Sequence, residues 1–198
     1  MHAFPRDTGW IEVICGSMFS GKTEELIRRL KRAQIAKKKV QVFKPQIDKR
    51  YDAVKVVSHS SQTIDSRPIE RAEEILQNLD PTTEVVGIDE VQFFGMELIP
   101  VVEALAKKGL RVLCAGLDQD FRGKPFEPMP QLLAIAEYIT KELAICVVCG
   151  NPANRSQRIV SDTARVVVGA AGDYEARCRK CHVAEPVEGA TPKTLDLL

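Results

Sequence analysis

The chain has 198 residues, of which 44% are hydrophobic and 28% are charged, and its formal net charge is +1. This length is enough for one α/β domain with a small appendage. The near-neutral charge argues against a protein that tracks a nucleic-acid backbone. We find no export signal and no run of about 18 apolar residues, so we expect a cytoplasmic protein with no nucleic-acid or membrane partner.

The first predicted strand, at residues 11–15, leads into a phosphate-binding motif. Residues 16–23 read GSMFSGKT and fit the P-loop pattern G-x-x-x-x-G-K-[ST], and a helical pattern follows them. Backbone N–H groups of such a loop bind phosphate oxygens, Lys22 can reach the β- and γ-phosphates, and the Thr23 hydroxyl is suited to Mg²⁺. The predicted ATP-binding residues are Gly16, Ser17, Met18, Phe19, Ser20, Gly21, Lys22 and Thr23.

Helical and strand patterns alternate after this loop. Apolar spacing predicts a helix directly after it, with a basic run at residues 28–32 on the solvated face. The next predicted elements are a strand at 40–43, a loop at 45–66 with one short strand at 54–58, a helix at 69–79, a strand at 85–88, a helix at 98–106, a strand at 110–116, a short helix at 131–135 and a strand at 138–146. The alternation indicates a parallel sheet covered on both faces, so the predicted fold class is α/β.

Two acids, Asp89 and Glu90, directly follow the apolar strand at 85–88. Because ligands bind at the carboxyl ends of the strands in a parallel sheet, both acids are expected on the same edge as the P-loop. Asp89 is suited to hold Mg²⁺, and Glu90 is suited to accept a proton from the attacking oxygen. The strand alone does not decide whether that oxygen belongs to water, as in an ATPase, or to a substrate hydroxyl, as in a kinase.

Four of the six cysteines form two C-x-x-C pairs, Cys146 with Cys149 and Cys178 with Cys181. Two such pairs are typical of a tetrahedral zinc site with four cysteine ligands, and four thiolate ligands leave no open position, which predicts a structural metal. A redox role for the pairs is one alternative. A second is that His182 replaces Cys181 as the fourth ligand.

The character of the sequence changes near Leu143, where the alternation of strands and helices gives way to short β-like runs. Two of these runs, at 156–160 and 164–168, lie between the cysteine pairs. We therefore predict a P-loop nucleotide-binding domain at residues 1–143 and a zinc-binding module at residues 144–198.

Three motifs together resemble the type II thymidine kinases, the zinc-containing cytosolic family. They are the P-loop with its Met-Phe-Ser interior, the segment DEVQFF at 89–94 and the segment LDQDFRGKPF at 117–126, and the cysteine pairs accompany them. The resemblance implies transfer of the γ-phosphate of ATP to the 5′-hydroxyl of thymidine, with structural zinc and ATP-bound magnesium. It also implies a zinc-ribbon-like β module with a lasso loop at 168–174, a homotetramer, and feedback inhibition by dTTP.

The resemblance also assigns residues to roles. It implies that Glu90 is the catalytic base, assisted by Lys22 and Arg50, and that Thr23, Asp48 and Asp89 hold magnesium. The ATP site is extended to Asp89, Glu90, Val91 and Gln92. The implied nucleoside contacts are Met18, Phe93, Leu117, Phe121, Ser156, Val167, Gly169 and Tyr174.

Two other functions fit parts of the sequence. One is a P-loop ATPase coupled to nucleic acid through a zinc ribbon, which the basic run at 28–32 motivates. The near-neutral charge and the lack of an obvious aromatic stacking series count against it. The other is a structural zinc protein with a vestigial P-loop, and the presence of both Lys22 and Glu90 argues against that function.

Overall fold

The computed structural model describes residues 8–46, 55–57, 63–160 and 172–184. In chain order its strands and helices are β1 (Trp10–Gly16), α1 (Lys22–Ile35), β2 (Val40–Pro45), β3 (Lys55–Val57), β4 (Thr63–Asp65), β5 (Arg67–Ile69), α2 (Glu74–Gln77), β6 (Val85–Ile88), α3 (Leu98–Lys107), β7 (Arg111–Leu117), α4 (Met129–Ile135), β8 (Tyr138–Glu142), β9 (Ala144–Ile145), β10 (Pro152–Ala153), β11 (Arg155–Arg158) and β12 (Tyr174–Arg177). A 3-10 turn at Val91–Phe93 follows β6.

Six strands form the central sheet in the order β5-β2-β6-β7-β1-β8, and all five pairings between them are parallel. β6 is buried along its whole length, β1 is buried except at its first residue, and β7 is buried except at its two ends, as expected for strands that carry apolar residues on both faces. One apolar cluster includes residues of α3 and α4, and a second includes residues of α1. The predicted α/β fold with a parallel sheet is confirmed.

Helix α1 carries the chain away from the P-loop along the sheet. Its buried residues Leu26, Ile27, Leu30 and Ala33 are the ones that the apolar spacing predicted. Leu30 packs so closely on β6 that a Cβ at Gly87 would lie 2.8 Å from its Cδ1 atom. Within the described residues, no helix combines the length and the apolar character needed to cross a membrane.

The basic run of α1 is solvated except at Arg29, where the prediction is wrong. Arg29 is half-buried and reaches Glu12 on β1 at 2.8 Å and the Thr140 hydroxyl on β8 at 2.8 Å. Glu12 also accepts hydrogen bonds from Arg111 and from the indole N–H of Trp10. Burial acts to raise the pKa of Glu12, but the hydrogen bonds from Arg111 and Trp10 and the charges of Arg111 and Arg29 outweigh it, so this pKa is lowered.

The predicted helix at 69–79 is only partly correct. Ile69 ends the strand β5, which pairs with β2 in the sheet, and the α-helix covers only Glu74–Gln77. The backbone N–H groups of Glu74 and Ile75 bond to carbonyls three residues earlier, so tight turns precede the helix. Ile69 and Ile75 are both buried. The apolar spacing therefore marks burial here without a continuous helix.

Two other segments differ from the prediction. The loop at 45–66 contains two antiparallel strands, β3 and β4, where one was predicted. The strand predicted at 138–146 is divided at Leu143: β8 belongs to the central sheet, and β9 pairs antiparallel with β10. β11 and β12 form a further antiparallel pair. The run predicted at 164–168 lies outside the described residues, and the division into two domains stays a prediction.

Candidate active site

The P-loop connects the end of β1 to the start of α1. Gly16 has a φ of 150°, and a Cβ there would lie 2.3 Å from the carbonyl oxygen of Glu142 on β8. Gly21, with a φ of 89°, turns the chain into the helix in a left-handed conformation that favours glycine. The ammonium group of Lys22 donates to the carbonyl of Ser17 at 2.7 Å. The motif residues thus form the strand–loop–helix arrangement that a P-loop requires.

The interior of the loop is bonded to the C-terminal strands. The hydroxyl of Ser17 donates to the carbonyl of Ala153 at 3.3 Å, and the backbone N–H of Met18 donates to the hydroxyl of Ser156 at 3.0 Å. The hydroxyl of Ser20 is buried and has no hydrogen-bond partner within the described part of the chain. Two loop residues are therefore tied to β10 and β11, whereas the Ser20 hydroxyl still needs an acceptor or donor.

Asp89 and Glu90 follow β6 at the same sheet edge as the P-loop. Glu90 has a φ of 52°, which is a left-handed conformation. Its carboxylate accepts a hydrogen bond from the side-chain amide of Gln92 at 2.5 Å, and the Gln92 oxygen accepts the N–H of Leu117 at 3.0 Å. Gln92 is 4% exposed, and a Cβ at Gly116 would lie 2.5 Å from its oxygen. Gln92 therefore joins the Glu90 carboxylate to the end of β7.

A third acid at this edge, Asp118, received no role in the sequence analysis. It directly follows β7 and is buried, and one of its carboxylate oxygens accepts a hydrogen bond from Lys141 at 2.6 Å. Its other oxygen has no hydrogen-bond partner among the described residues. Burial, and then the nearby charge of Asp118, raise the pKa of the Cys15 thiol to about 11. Its place after a buried strand was the signal that could have identified Asp118.

An aromatic and cationic group lies beside the two C-terminal strands β11 and β12. The guanidinium carbon of Arg158, a residue 2% exposed, lies 3.8 Å from the centre of the Phe121 ring, and its nitrogen donates to the hydroxyl of Tyr174 at 2.7 Å. Arg158 and Tyr174 are direct partners in the pairing of β11 with β12. Arg158 therefore contacts both Phe121 and Tyr174, which are two of the predicted nucleoside contacts. Tyr174 is the first residue of β12 and the last residue of the predicted lasso loop.

The hydrogen bond from Met18 to Ser156 joins two further predicted nucleoside contacts, and Leu117 is bonded to Gln92. Met18, Phe93 and Leu117 are half-buried, which leaves part of each side chain accessible to a ligand. The residues Asp48, Arg50, Val167 and Gly169 lie outside the described residues.

The four paired cysteines converge on one point. The ligand sulfurs of Cys146, Cys149, Cys178 and Cys181 all lie within 4.8 Å of one another. Four thiolates at this separation suit a tetrahedral ion of the zinc type. The imidazole of His182 instead lies 2.8 Å from the carbonyl oxygen of Phe121. The cluster therefore contains Cys181, and His182 is turned towards the loop that follows β7.

The surroundings of the sulfurs shift the pKa values of Cys146 and Cys181 in opposite directions. Burial acts to raise the pKa of Cys146, but hydrogen bonds, first from the backbone N–H of Cys178 and then from those of Val148 and Cys149, outweigh it and lower this pKa to about 6. The pKa of Cys181 is raised to about 12, first by the hydrogen bond that its thiol makes to Cys149. Metal ligation deprotonates such thiols, because the cation removes the repulsion between neighbouring thiolates.

The sheet, the loop and the acids at its carboxyl edge define a P-loop α/β protein with a cluster of four cysteines that can hold a metal ion. The family model described as thymidine kinase matches residues 9–182, and the chain belongs to the thymidine kinase family. A thymidine kinase of Rhodothermus sp. (strain ITI 518) is 61% identical over 173 residues, which cover 87% of this chain and 81% of that protein. A thymidine kinase of Bdellovibrio bacteriovorus is 58% identical over 183 residues, which cover 92% of this chain and 89% of that protein.

Proposed function

We propose that the chain transfers the γ-phosphate of ATP to the 5′-hydroxyl of thymidine. The observation that carries this proposal is the position of Glu90 at the same sheet edge as the P-loop, within a chain of the thymidine kinase family. A kinase needs a phosphate cradle and a base that accepts the proton of the substrate hydroxyl, and the two motifs supply one each. Family membership does not favour the alternative of an ATPase coupled to nucleic acid.

The P-loop is the proposed site of the triphosphate. Its backbone N–H groups and the N-terminus of α1 attract phosphate oxygens, and a phosphate oxygen would give the buried Ser20 hydroxyl the partner that it lacks in the described part of the chain. Lys22 would exchange the Ser17 carbonyl for a phosphate oxygen. Val91 and Gln92 stay predicted members of this site, although the Gln92 side chain is bonded to Glu90 and Leu117.

Magnesium is the proposed partner of the triphosphate. The Thr23 hydroxyl and the Asp89 carboxylate would hold it, since both supply the hard oxygen atoms that this ion prefers. When bound, the ion neutralises charge on the β- and γ-phosphates. The roles of Asp48 in holding the ion and of Arg50 in contacting the transferred group stay predictions.

Glu90 is the proposed base. Its carboxylate is oriented by Gln92 and would take the proton of the 5′-hydroxyl as that oxygen attacks the γ-phosphorus. Phe121 and Tyr174, both in contact with Arg158, are proposed to line the nucleoside site. The other proposed lining residues are Met18, Phe93, Leu117, Ser156, Val167 and Gly169.

Zinc is the proposed metal of the cysteine cluster, with a structural role because all four positions would be filled by sulfur. We further propose the division into domains at residues 1–143 and 144–198, a homotetramer, inhibition by dTTP, and a cytoplasmic location. These last proposals rest on the family resemblance and on the sequence.

A Glu90→Gln variant tests the proposed chemistry. Turnover should fall by about 100- to 10,000-fold, because general base catalysis typically contributes that much, while binding of MgATP is retained. A transfer assay with radiolabelled ATP and thymidine measures turnover, and calorimetry measures binding. Glu97→Gln is the matched control, since Glu97 is an exposed acid on the same segment. Near-normal turnover of Glu90→Gln would show that another group accepts the proton.

A further inference from the structure

The P-loop residue Phe19 has an unusual backbone conformation. Its φ is 64°, in the left-handed region that side-chain-bearing residues rarely adopt. Such a conformation persists only where the surrounding structure holds it. The immediate surroundings of Phe19 should therefore show what keeps the interior of the P-loop in shape.

Those surroundings are the small core around the cysteine cluster. The half-buried ring of Phe19 packs against a cluster of buried residues, namely Ala144, Cys146, Ala153, Ala176 and Cys178. Two members of this cluster are predicted metal ligands, and sulfur atoms make favourable contacts with aromatic rings. The ring therefore joins the P-loop directly to the predicted zinc-binding module at residues 144–198, which we call the metal module.

Two hydrogen bonds reinforce this contact. Ser17 and Met18, the two residues before Phe19, bond to Ala153 and Ser156. Three consecutive loop residues are thus held by the C-terminal strands, and Ala153 takes part in both the hydrogen bonding and the packing. The interior of the P-loop is positioned from the metal module as well as from β1 and α1.

The core that holds the loop is too small to be stable by itself. Its members are three alanines and two cysteines, which bury little apolar surface, so metal ligation has to supply much of the stability of the module. Loss of the metal would then release Phe19 and loosen the loop.

We propose that Phe19 is a positioning residue that couples metal binding to nucleotide binding. Coupling between two sites is reciprocal, so a nucleotide that orders the P-loop also stabilises the bound metal. This inference rests on the proposed function in one respect, namely that the P-loop binds an adenine nucleotide.

The test measures the affinity of the full-length protein for zinc by equilibrium competition with a chromogenic chelator, with and without saturating MgADP and without nucleoside. MgADP should raise the zinc affinity of the wild-type protein, and so protect its zinc from the chelator, by at least about fivefold, which is the lower end of typical coupling between sites. Calorimetry on the same sample measures MgADP binding. An unchanged zinc affinity with MgADP bound overturns the coupling alone, whereas absence of MgADP binding also overturns the proposed function.

Three substitutions of Phe19 locate the coupling. Phe19→Ala removes the ring and should abolish the protection by MgADP, and Phe19→Leu, which restores apolar packing, should recover most of it. Phe19→Gly relieves the backbone strain but also lacks the ring, so it should behave like Phe19→Ala. Protection that survives in Phe19→Gly or Phe19→Ala shows that the ring is not the link.

Lys37→Gly is the matched control, because Lys37 shares the left-handed conformation, with a φ of 60°, but is exposed and lies outside the P-loop and the cysteine cluster. It should keep the protection at saturating MgADP. Loss of protection in this variant would show that a change of this kind elsewhere in the chain also disturbs zinc binding, and would overturn the assignment to Phe19. The wild-type comparison needs no variant, so it remains decisive if Phe19→Ala does not fold.

Discussion

The orientation of Glu90 by Gln92 leads to a quantitative prediction for Gln92→Met. Methionine keeps the size of the side chain in this buried position but removes both hydrogen bonds, the one to Glu90 and the one from Leu117. A hydrogen bond to a charged group contributes about 1.5–3 kcal/mol. If that free energy holds the carboxylate towards the acceptor hydroxyl, kcat should fall by about 10- to 150-fold, since about 1.4 kcal/mol corresponds to a factor of ten in rate.

The KM for ATP should change little in this variant, because Gln92 contacts the base and not the P-loop in the structure. Initial rates at varied ATP and thymidine concentrations give kcat and both KM values. The backbone N–H of Leu117 also loses its acceptor, so the free energy of unfolding should decrease by about 1–3 kcal/mol. A KM for ATP that rises while kcat is constant would instead support the predicted role of Gln92 in ATP binding.

Gln41→Met is the matched control. Gln41 lies near the start of β2, away from the carboxyl edge of the sheet, and its oxygen accepts the N–H of Asp80 at 2.8 Å and the hydroxyl of Thr83 at 2.6 Å. This variant should lose stability to a similar extent and keep its kcat. The reasoning is refuted if Gln92→Met retains at least half of the wild-type kcat, or if Gln41→Met loses as much kcat as Gln92→Met does.

Two further predictions concern Gly116 on β7 and Glu12 on β1. Gly116→Ala places a Cβ 2.5 Å from the Gln92 oxygen, so it should lower kcat and decrease the free energy of unfolding by about 1–3 kcal/mol; normal values of both would contradict the packing. Because the pKa of Glu12 is lowered by Arg111 and Arg29, its stabilising effect is complete above the ordinary value of 4.5 and is lost as the pH falls through the folded-state pKa. Urea titrations of Glu12→Gln at several pH values should show a weaker pH dependence of the free energy of unfolding than in the wild-type protein. At neutral pH this free energy should be lower than the wild-type value by about 2–3 kcal/mol. An unchanged pH dependence would refute the prediction.

Helix α1 could be predicted from the sequence because one physical pattern determines it. The P-loop motif, which ends in Gly21-Lys22-Thr23, sets its start, and apolar residues at helical spacing set the face that packs on the sheet. The exception at Arg29 has a tertiary cause. Its partners, Glu12 and Thr140, lie on two strands that are distant in sequence, and a pattern within the helix contains no information about them.

The segment at 69–79 shows where such patterns mislead. Buried residues at Ile69 and Ile75 follow a helical spacing, but β2 offers Ile69 an unpaired strand edge, and pairing at that edge extends the backbone there. A short segment that alternates strand, turn and one helical turn buries the same side chains as a helix would. Spacing alone does not distinguish these arrangements.

The candidate site also contains features that local sequence patterns predict and contacts that they do not. The P-loop, Glu90 and the cysteine pairs could be predicted because each lies in a local motif whose residue types suit the proposed chemistry. The contacts that hold these motifs in place could not be predicted from the sequence. Met18 bonds to Ser156 across 138 positions of the sequence, and Gln92 bonds to Leu117 across 25. Only the fold brings such pairs together.

Residues with positive φ show how the local motifs depend on contacts to distant segments. Within the described residues, the non-glycine residues with positive φ are Phe19, Lys37 and Glu90. Lys37 lies just after the last turn of α1, where a left-handed residue commonly ends a helix. Phe19 and Glu90 have no such local reason, and they lie in the phosphate loop and at the proposed base. Each is held by contacts to a distant segment, the metal module for Phe19 and the end of β7 through Gln92 for Glu90. The ordinary preference for negative φ is therefore overridden at Phe19 and Glu90, which both lie within the proposed site. A preorganised active site requires such conformations, because its groups are held in place by the rest of the fold.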